Sequence, residues 1–288
     1  MEPIRLIAMD MDGTLLADDG KGILPEDAQA LRLAHEAGIH LALCSGRVPD
    51  DMSFYARDMD LPMHILALNG TCILDKPMGQ IVRSQYIPEY AARGIFRLLQ
   101  GKPVAYAMFG DHDLIVSPPS MSRQELEIIF GSNILREGTR TVIHCGSEGA
   151  GECIRRGMNK MMIFTENDPQ PLQEIRSHME KFFPSVEVSS SWVNNLEVNP
   201  LGVNKGSALS ALAQMLDIPM TQVMAIGDND NDIPMLSAAG IGVAMGNATP
   251  AARAAADYLT LPNSQCGVSA AIRALALGSD SPGVRRLT

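Results

Sequence analysis

The chain has 288 residues, 46% of them hydrophobic and 19% charged, and a net charge of −10. That length accommodates two domains of about 100–200 residues each, and the composition excludes a disordered chain. The charge argues against nucleic acid or an anionic membrane surface as partner, because both are held through surplus Lys and Arg. No apolar run reaches the roughly 20 residues needed to cross a bilayer. The first residues enter an apolar segment without the basic stretch and longer apolar core of a secretion signal, so a cytoplasmic location is expected. The five cysteines (Cys44, Cys72, Cys145, Cys153 and Cys266) are scattered and form no CxxC. They read as single thiols, neither a disulfide framework nor a zinc site.

Residues 4–9 form a short, almost continuous apolar run, as in a central strand covered on both faces. Asp10-Met11-Asp12-Gly13-Thr14 follows directly. Residues two apart in an extended chain point the same way. Asp10 and Asp12 can therefore face one ligand from the carboxyl end of the strand, where open α/β sheets bind theirs. Gly13 lets the chain turn sharply. Two carboxylates so close need a cation between them, or one must keep its proton. Phosphate chemistry meets both needs, with Mg²⁺ on carboxylate oxygens and one carboxylate attacking while the other serves as acid and base. A plain surface turn is the alternative.

Residues 25–37 read as a helix, with Ala28, Leu31 and Ala34 on one side and Gly38 as its stop. A second strand at 39–44 leads into Ser45-Gly46-Arg47, which offers a hydroxyl and free backbone N–H groups at a strand-to-helix turn. A helix at 49–58 and a strand at 65–68 follow. This order argues for a parallel, doubly wound sheet.

Residues 83–192 alternate differently. Segments 104–109 and 114–117 flank Gly110-Asp111-His112-Asp113 and read as a hairpin, with Asp111 and His112 in a plain turn. Helices at 148–156 and 169–183 surround a strand at 161–164. This stretch is expected to be an α+β cap domain inserted into a core built from 1–82 and 193–288. Trp192 is read as a packing residue at the junction.

The strand–helix rhythm then returns. Asn204-Lys205-Gly206 opens a helix at 207–216, where a lysine opposes the helix dipole and adds little to folding. That placement hints at another task, although a mobile surface lysine remains the alternative. The strand at 223–226 ends in Gly227-Asp228-Asn229-Asp230-Asn231-Asp232, a run of acids and amides suited to a hard cation. It lacks the glutamate that an EF-hand carries at its twelfth position, and Asp232 could equally cap the next helix. Helices at 233–239, 250–256 and 268–277 and strands at 241–244 and 258–261 complete the core. The polar tail is expected to be loose.

Asp10–Thr14, Ser45-Gly46-Arg47, Asn69-Gly70, Asn204-Lys205-Gly206 and the loop at 227–232, in that order, resemble the haloacid dehalogenase superfamily. The resemblance is specifically to its Cof-like phosphatases with a large α/β cap, and it spans nearly the whole chain. It implies a phosphatase of small phosphorylated metabolites such as sugar phosphates, with Asp10 as the nucleophile that becomes phospho-aspartate. Asp12 would protonate the leaving oxygen and then activate water. Mg²⁺ would sit on Asp10, the backbone carbonyl of Asp12 and Asp228, with Asp232 behind. Ser45, Gly46, Lys205, Asn231 and the N–H of Met11 would hold the phosphoryl group. Thr14, Arg47, Asn69 and Gly70 belong to the same motifs. Cap residues carry the resemblance weakly; Asn195, Glu197 and Asn199, at the return to the core, are the ones expected to line the cleft. A phosphomutase and a non-hydrolysing phosphate sensor remain as competing functions, and Asp12 argues against the second.

Overall fold

The computed structural model describes residues 2–17, 22–117, 123–131, 133–147, 149–165, 168–190, 193–279 and 282–287. Trp192 lies outside them. The chain divides into two compact units, Met1–Gln80 with Asn204–Thr288, and Ile81–Val203. No described helix is long and apolar enough to cross a membrane.

The first unit is built on one twisted sheet whose middle is parallel. Its strand order is Tyr258–Leu259, Ile241–Ala244, Val223–Gly227, Leu6–Met9, His40–Cys44, Met63–Ala67, Cys72–Leu74. Leu6–Met9 is central, paired in parallel with Val223–Gly227 and with His40–Cys44, and all four of its side chains are buried. That explains its unbroken apolar sequence, since a strand covered on both faces has no solvent side to make polar. The doubly wound α/β reading holds.

Helix Pro25–Glu36 begins with proline at its first position, where no N–H is missed. Its buried stripe is Asp27, Ala30, Leu31 and Ala34, so Asp27 takes a place that hydrophobic periodicity could not assign. The tail is not all loose. Arg285–Arg286 pairs antiparallel with Tyr258–Leu259, and the Leu287 N–H donates to the Asp257 carbonyl at 2.7 Å. Backbone pairing with an open sheet edge needs no apolar side chains, and so left no signal in the sequence.

The second unit holds a six-stranded sheet in the order Val142–Cys145, Asp113–Ser117, Ala105–Phe109, Lys160–Phe164, Asn195–Pro200, Val186–Ser189. The expected hairpin is present, with Ala105–Phe109 antiparallel to Asp113–Ser117. Asp111 in its turn accepts from the Ser84 hydroxyl and the Tyr86 phenol, both at 2.7 Å. One face of the sheet, carrying Met161, Ile163, Leu196 and Val198, packs with Ile95, Ile154, Ile175 and Met179 from helices Glu89–Leu99, Ala150–Arg156 and Gln170–Phe182. The expected boundary at 192 is too early. Strand Asn195–Pro200 pairs on both sides inside this sheet, with Lys160–Phe164 and Val186–Ser189.

Candidate active site

Asp10 follows the central strand, and its N–H donates to the Ile226 carbonyl at 3.0 Å. The strand thus sets the first carboxylate beside the end of Val223–Gly227, after which Asp228 comes. Gly13 has φ +79°, and a Cβ there would run into the Asp228 carboxylate. Only glycine permits that approach. The Thr14 hydroxyl, fully buried, donates to Asp228 Oδ1 at 2.7 Å. Asp232 is pinned from behind, with Oδ2 accepting the N–H groups of Asp228 and Asn229, each at 2.9 Å.

Lys205 is the first residue of helix Lys205–Met215, capped by Asn204, whose Oδ1 accepts the Ser207 N–H at 2.9 Å. Its side chain is 1% exposed and its Nζ donates to Asp10 Oδ1 at 2.7 Å and Asp232 Oδ1 at 2.6 Å. The lysine that suits its helix so poorly is therefore a buried counter-charge. Gly70 brings this helix close: at φ +97° it faces the Asn204 carbonyl and the Ala208 methyl, where a Cβ would lie within 2.7 and 2.6 Å. Oxygens of Asp10, Asp228 and Asp232 all lie within 4.8 Å of one another.

Burial pushes the Asp10 carboxyl well above the usual carboxylate range; Asp232 adds to this and Lys205 opposes it. Asp228 is pushed up to about 6, mainly by burial, against the pull of the Thr14 hydroxyl. Burial works to lower the Lys205 ammonium, but Asp10 and Asp232 together hold it above the ordinary lysine range. Three carboxyl groups share one ammonium, so ionising all of them would leave a surplus of two negative charges, which a divalent cation would neutralise.

Asp12 points elsewhere. Its two oxygens accept from Arg47 Nε at 2.8 Å and Nη2 at 2.6 Å, and Arg47 Nη1 donates to Asp51 Oδ2 at 2.6 Å. Ser45 is buried, its hydroxyl accepts the Arg47 N–H at 3.4 Å, and its carbonyl accepts the Asn69 N–H at 3.0 Å. A Cβ on Gly46 would approach Asn69 Oδ1 to 3.0 Å. Met11 is buried. Asn231 stands exposed on the turn Asp230–Asp232.

The structure thus brings together Asp10, Thr14, Lys205, Asp228 and Asp232 through side chains, and Ser45, Gly46, Asn69 and Gly70 as neighbouring backbone. Asn195, Glu197 and Asn199 are buried on the second unit's sheet, where Glu197 pairs with Lys160 at 2.8 Å. Sequence reasoning missed Asp51 and Asn247, whose Nδ2 donates to the Gly13 carbonyl at 2.7 Å. Asp51 looks like an ordinary first-turn acid of helix Pro49–Asp58, and only its i,i+4 spacing from Arg47 could have singled it out.

The sequence profile of haloacid dehalogenase-like hydrolases matches residues 7–272. The chain belongs to that family. A 5-amino-6-(5-phospho-D-ribitylamino)uracil phosphatase of Bacillus subtilis is 28% identical over 285 residues, covering 94% of this chain and 95% of the relative. A pyridoxal phosphate phosphatase of Escherichia coli is 30% identical over 263 residues, covering 88% and 92%. A haloacid dehalogenase-like hydrolase from Bacteroides thetaiotaomicron superposes with a TM-score of 0.80 at 26% identity, covering 94% of this chain and 99% of that one. This member of the family is a phosphatase, a hydrolase of phosphoric monoesters.

Proposed function

We propose that this haloacid dehalogenase-like phosphatase hydrolyses small phosphorylated metabolites with Mg²⁺, through a phospho-aspartate on Asp10. The observation that carries the reading is the cluster of Asp10, Asp228 and Asp232 oxygens within 4.8 Å of one another, with the Lys205 ammonium paired to Asp10 and Asp232. A set of hard carboxylate oxygens with surplus negative charge suits Mg²⁺. Asp10 and Asp228 would hold it, with Asp232 supporting them, since Asp232 already accepts from Lys205 and two backbone N–H groups. When bound, the ion supplies charge neutralisation at the phosphoryl oxygens.

Asp10 attacks phosphorus as the bond to the leaving oxygen breaks, and Asp12 gives that oxygen a proton. Asp12 then takes a proton from the water that attacks phospho-Asp10, releasing inorganic phosphate and the free carboxylate. Lys205 holds Asp10 in place and offsets charge on the transferring group, the positioning and neutralisation on which phosphoryl transfer depends. Ser45 and the N–H groups of Met11 and Gly46 would receive its oxygens. The substrates in the names of the two curated relatives, a phosphoribitylamino-uracil and pyridoxal phosphate, support a small monoester.

The test is phosphate release from 4-nitrophenyl phosphate and a panel of phosphorylated metabolites. Excess chelator should abolish turnover and added Mg²⁺ restore it, with Ca²⁺ serving poorly because of its larger, looser shell. Asp10→Asn should eliminate both turnover and any phosphoryl-enzyme. Full activity in chelator would overturn the metal assignment, and wild-type turnover in Asp10→Asn would overturn the nucleophile.

A further inference from the structure

The charges around Asp12 form a set of their own, which the reaction above leaves without a task. Arg47 grips both oxygens of Asp12 in the fork geometry that guanidinium and carboxylate share. Its third nitrogen donates to Asp51, whose side chain is fully buried. The guanidinium also lies 5.5 Å from the centroid of the Tyr55 ring. Arg47, Asp51 and Tyr55 stand four residues apart in turn, so Asp51 and Tyr55 share one face of helix Pro49–Asp58. Asp51 lies in the first turn of that helix, where the dipole favours a negative charge. The Asp12 side chain is 57% exposed, against 21% for Arg47 and 0% for Asp51. Order therefore runs outward, from a buried anchor through a clamped guanidinium to an exposed carboxylate.

We propose that Asp51 and Arg47 are positioning residues, an orienting relay that fixes the Asp12 carboxylate for proton transfer to the leaving oxygen. The proposal rests on the phosphatase reading of Asp10 and Asp12. Two competing roles give different expectations. A guanidinium that binds the phosphoryl group would turn its fork towards that group, yet the Nε–Nη2 fork of Arg47 is spent on both oxygens of Asp12 and Nη1 reaches back to buried Asp51, which leaves one N–H on each Nη outside these bonds. A purely structural clamp is a poor use of an exposed carboxylate, because solvent-exposed ion pairs stabilise folds weakly. Orientation is the role in which a fixed geometry at an exposed acid matters, since proton transfer depends on hydrogen-bond reach to the leaving atom.

The experiment compares wild type, Asp51→Asn, Arg47→Lys and Asp12→Asn in full-length, Mg²⁺-loaded protein. The substrates are aryl phosphates of graded leaving-group pKa, from 4-nitrophenyl to phenyl, and one alkyl phosphate. Poor leaving groups need the proton most, so kcat/KM should fall about 10–100-fold for alkyl and phenyl phosphate but less than about threefold for 4-nitrophenyl phosphate. The inhibition constant of inorganic phosphate should stay within about twofold, because no phosphoryl contact is removed. In an Asp12→Asn background, Asp51→Asn should add nothing, as expected of residues that act as one unit. Asp51→Glu should recover part of the loss for alkyl phosphate. Equal losses on every substrate, or a weakened phosphate inhibition constant, would assign Arg47 to phosphoryl binding and overturn the relay. Loss of activity in step with loss of melting temperature would reduce it to a structural clamp. A wild type that releases no phosphate from any substrate would sink the phosphatase reading instead, a result distinct from all of these.

Discussion

At the scale of the residue, the contrast between Lys205 and Arg47 shows what a sequence discloses about a site. Lys205 could be singled out because a lysine at a helix start works against the dipole, and its purpose is the ion pairs with Asp10 and Asp232. Its predicted indifference to folding is corrected by the same pairs. Removing one partner of a buried ion pair leaves uncompensated charge, which costs about 3–5 kcal/mol. Lys205→Ala should therefore lower turnover by orders of magnitude and also lower the metal-free melting temperature. Lys205→Arg should rescue only partly, since a planar fork does not replace a compact ammonium. Added Mg²⁺ should stabilise Lys205→Ala more than wild type, because the bare carboxylates gain most from a cation. Calorimetry with and without Mg²⁺ checks this, and equal Mg²⁺ shifts in both proteins would argue against shared charge. Arg47 was legible as part of a motif, but its targets were not. Asp12 lies 35 residues away in sequence, and no local pattern encodes that meeting.

At the scale of the element, the strand ends were the most legible part of the fold. Apolar runs at 4–9 and 223–226 stop abruptly at acids, and those stops are where the two parallel strands deliver Asp10 and Asp228. Helix faces were less legible where a polar residue packs inside. Asp27 is 1% exposed in helix Pro25–Glu36, and its Oδ1 accepts the Ser269 N–H at 2.6 Å from helix Gly267–Ala271, while Oδ2 has no partner. Burial pushes its carboxyl up to about 6, against the lowering by the Ser269 N–H. The sign follows from linkage. The native carboxyl holds its proton more tightly than the unfolded one, so its contribution is fully present below the unfolded value near 3.8 and is lost as pH rises towards 6. Asp27→Asn cannot titrate and still offers an oxygen to Ser269. The variant should lose this downward slope, so that its stability relative to wild type rises by about 1–3 kcal/mol between pH 4 and 7 and is flat above. Urea unfolding across that range measures the difference; a difference independent of pH would show that Asp27 does not titrate with folding.

At the scale of the whole molecule, a change of rhythm along the chain marked the inserted segment, while its ends were misplaced because strand Asn195–Pro200 continues a sheet that only pairing reveals. The Ile81–Val203 unit has what a domain needs. It has a six-stranded sheet, three helices on one face, and a cluster in which Ile95, Met161, Ile163, Ile175, Met179 and Val198 are fully buried. At roughly 120 residues it lies in the size range where a single core sustains independent folding. Residues 81–203 expressed alone should therefore give a cooperative thermal transition with a mixed α/β far-ultraviolet spectrum. Ending the segment at 192 should abolish that transition, because the sheet then loses the strand between Lys160–Phe164 and Val186–Ser189. Ile175→Ala should destabilise the 81–203 segment by about 2–5 kcal/mol through the cavity it leaves. In the full chain the same substitution should lower the melting of this unit while leaving Mg²⁺ affinity unchanged, since every carboxylate of the cluster belongs to the other unit. An 81–203 segment without a cooperative transition would show that the unit depends on the rest of the chain for its core, and an 81–192 segment that folds as well would show that strand Asn195–Pro200 is dispensable to it.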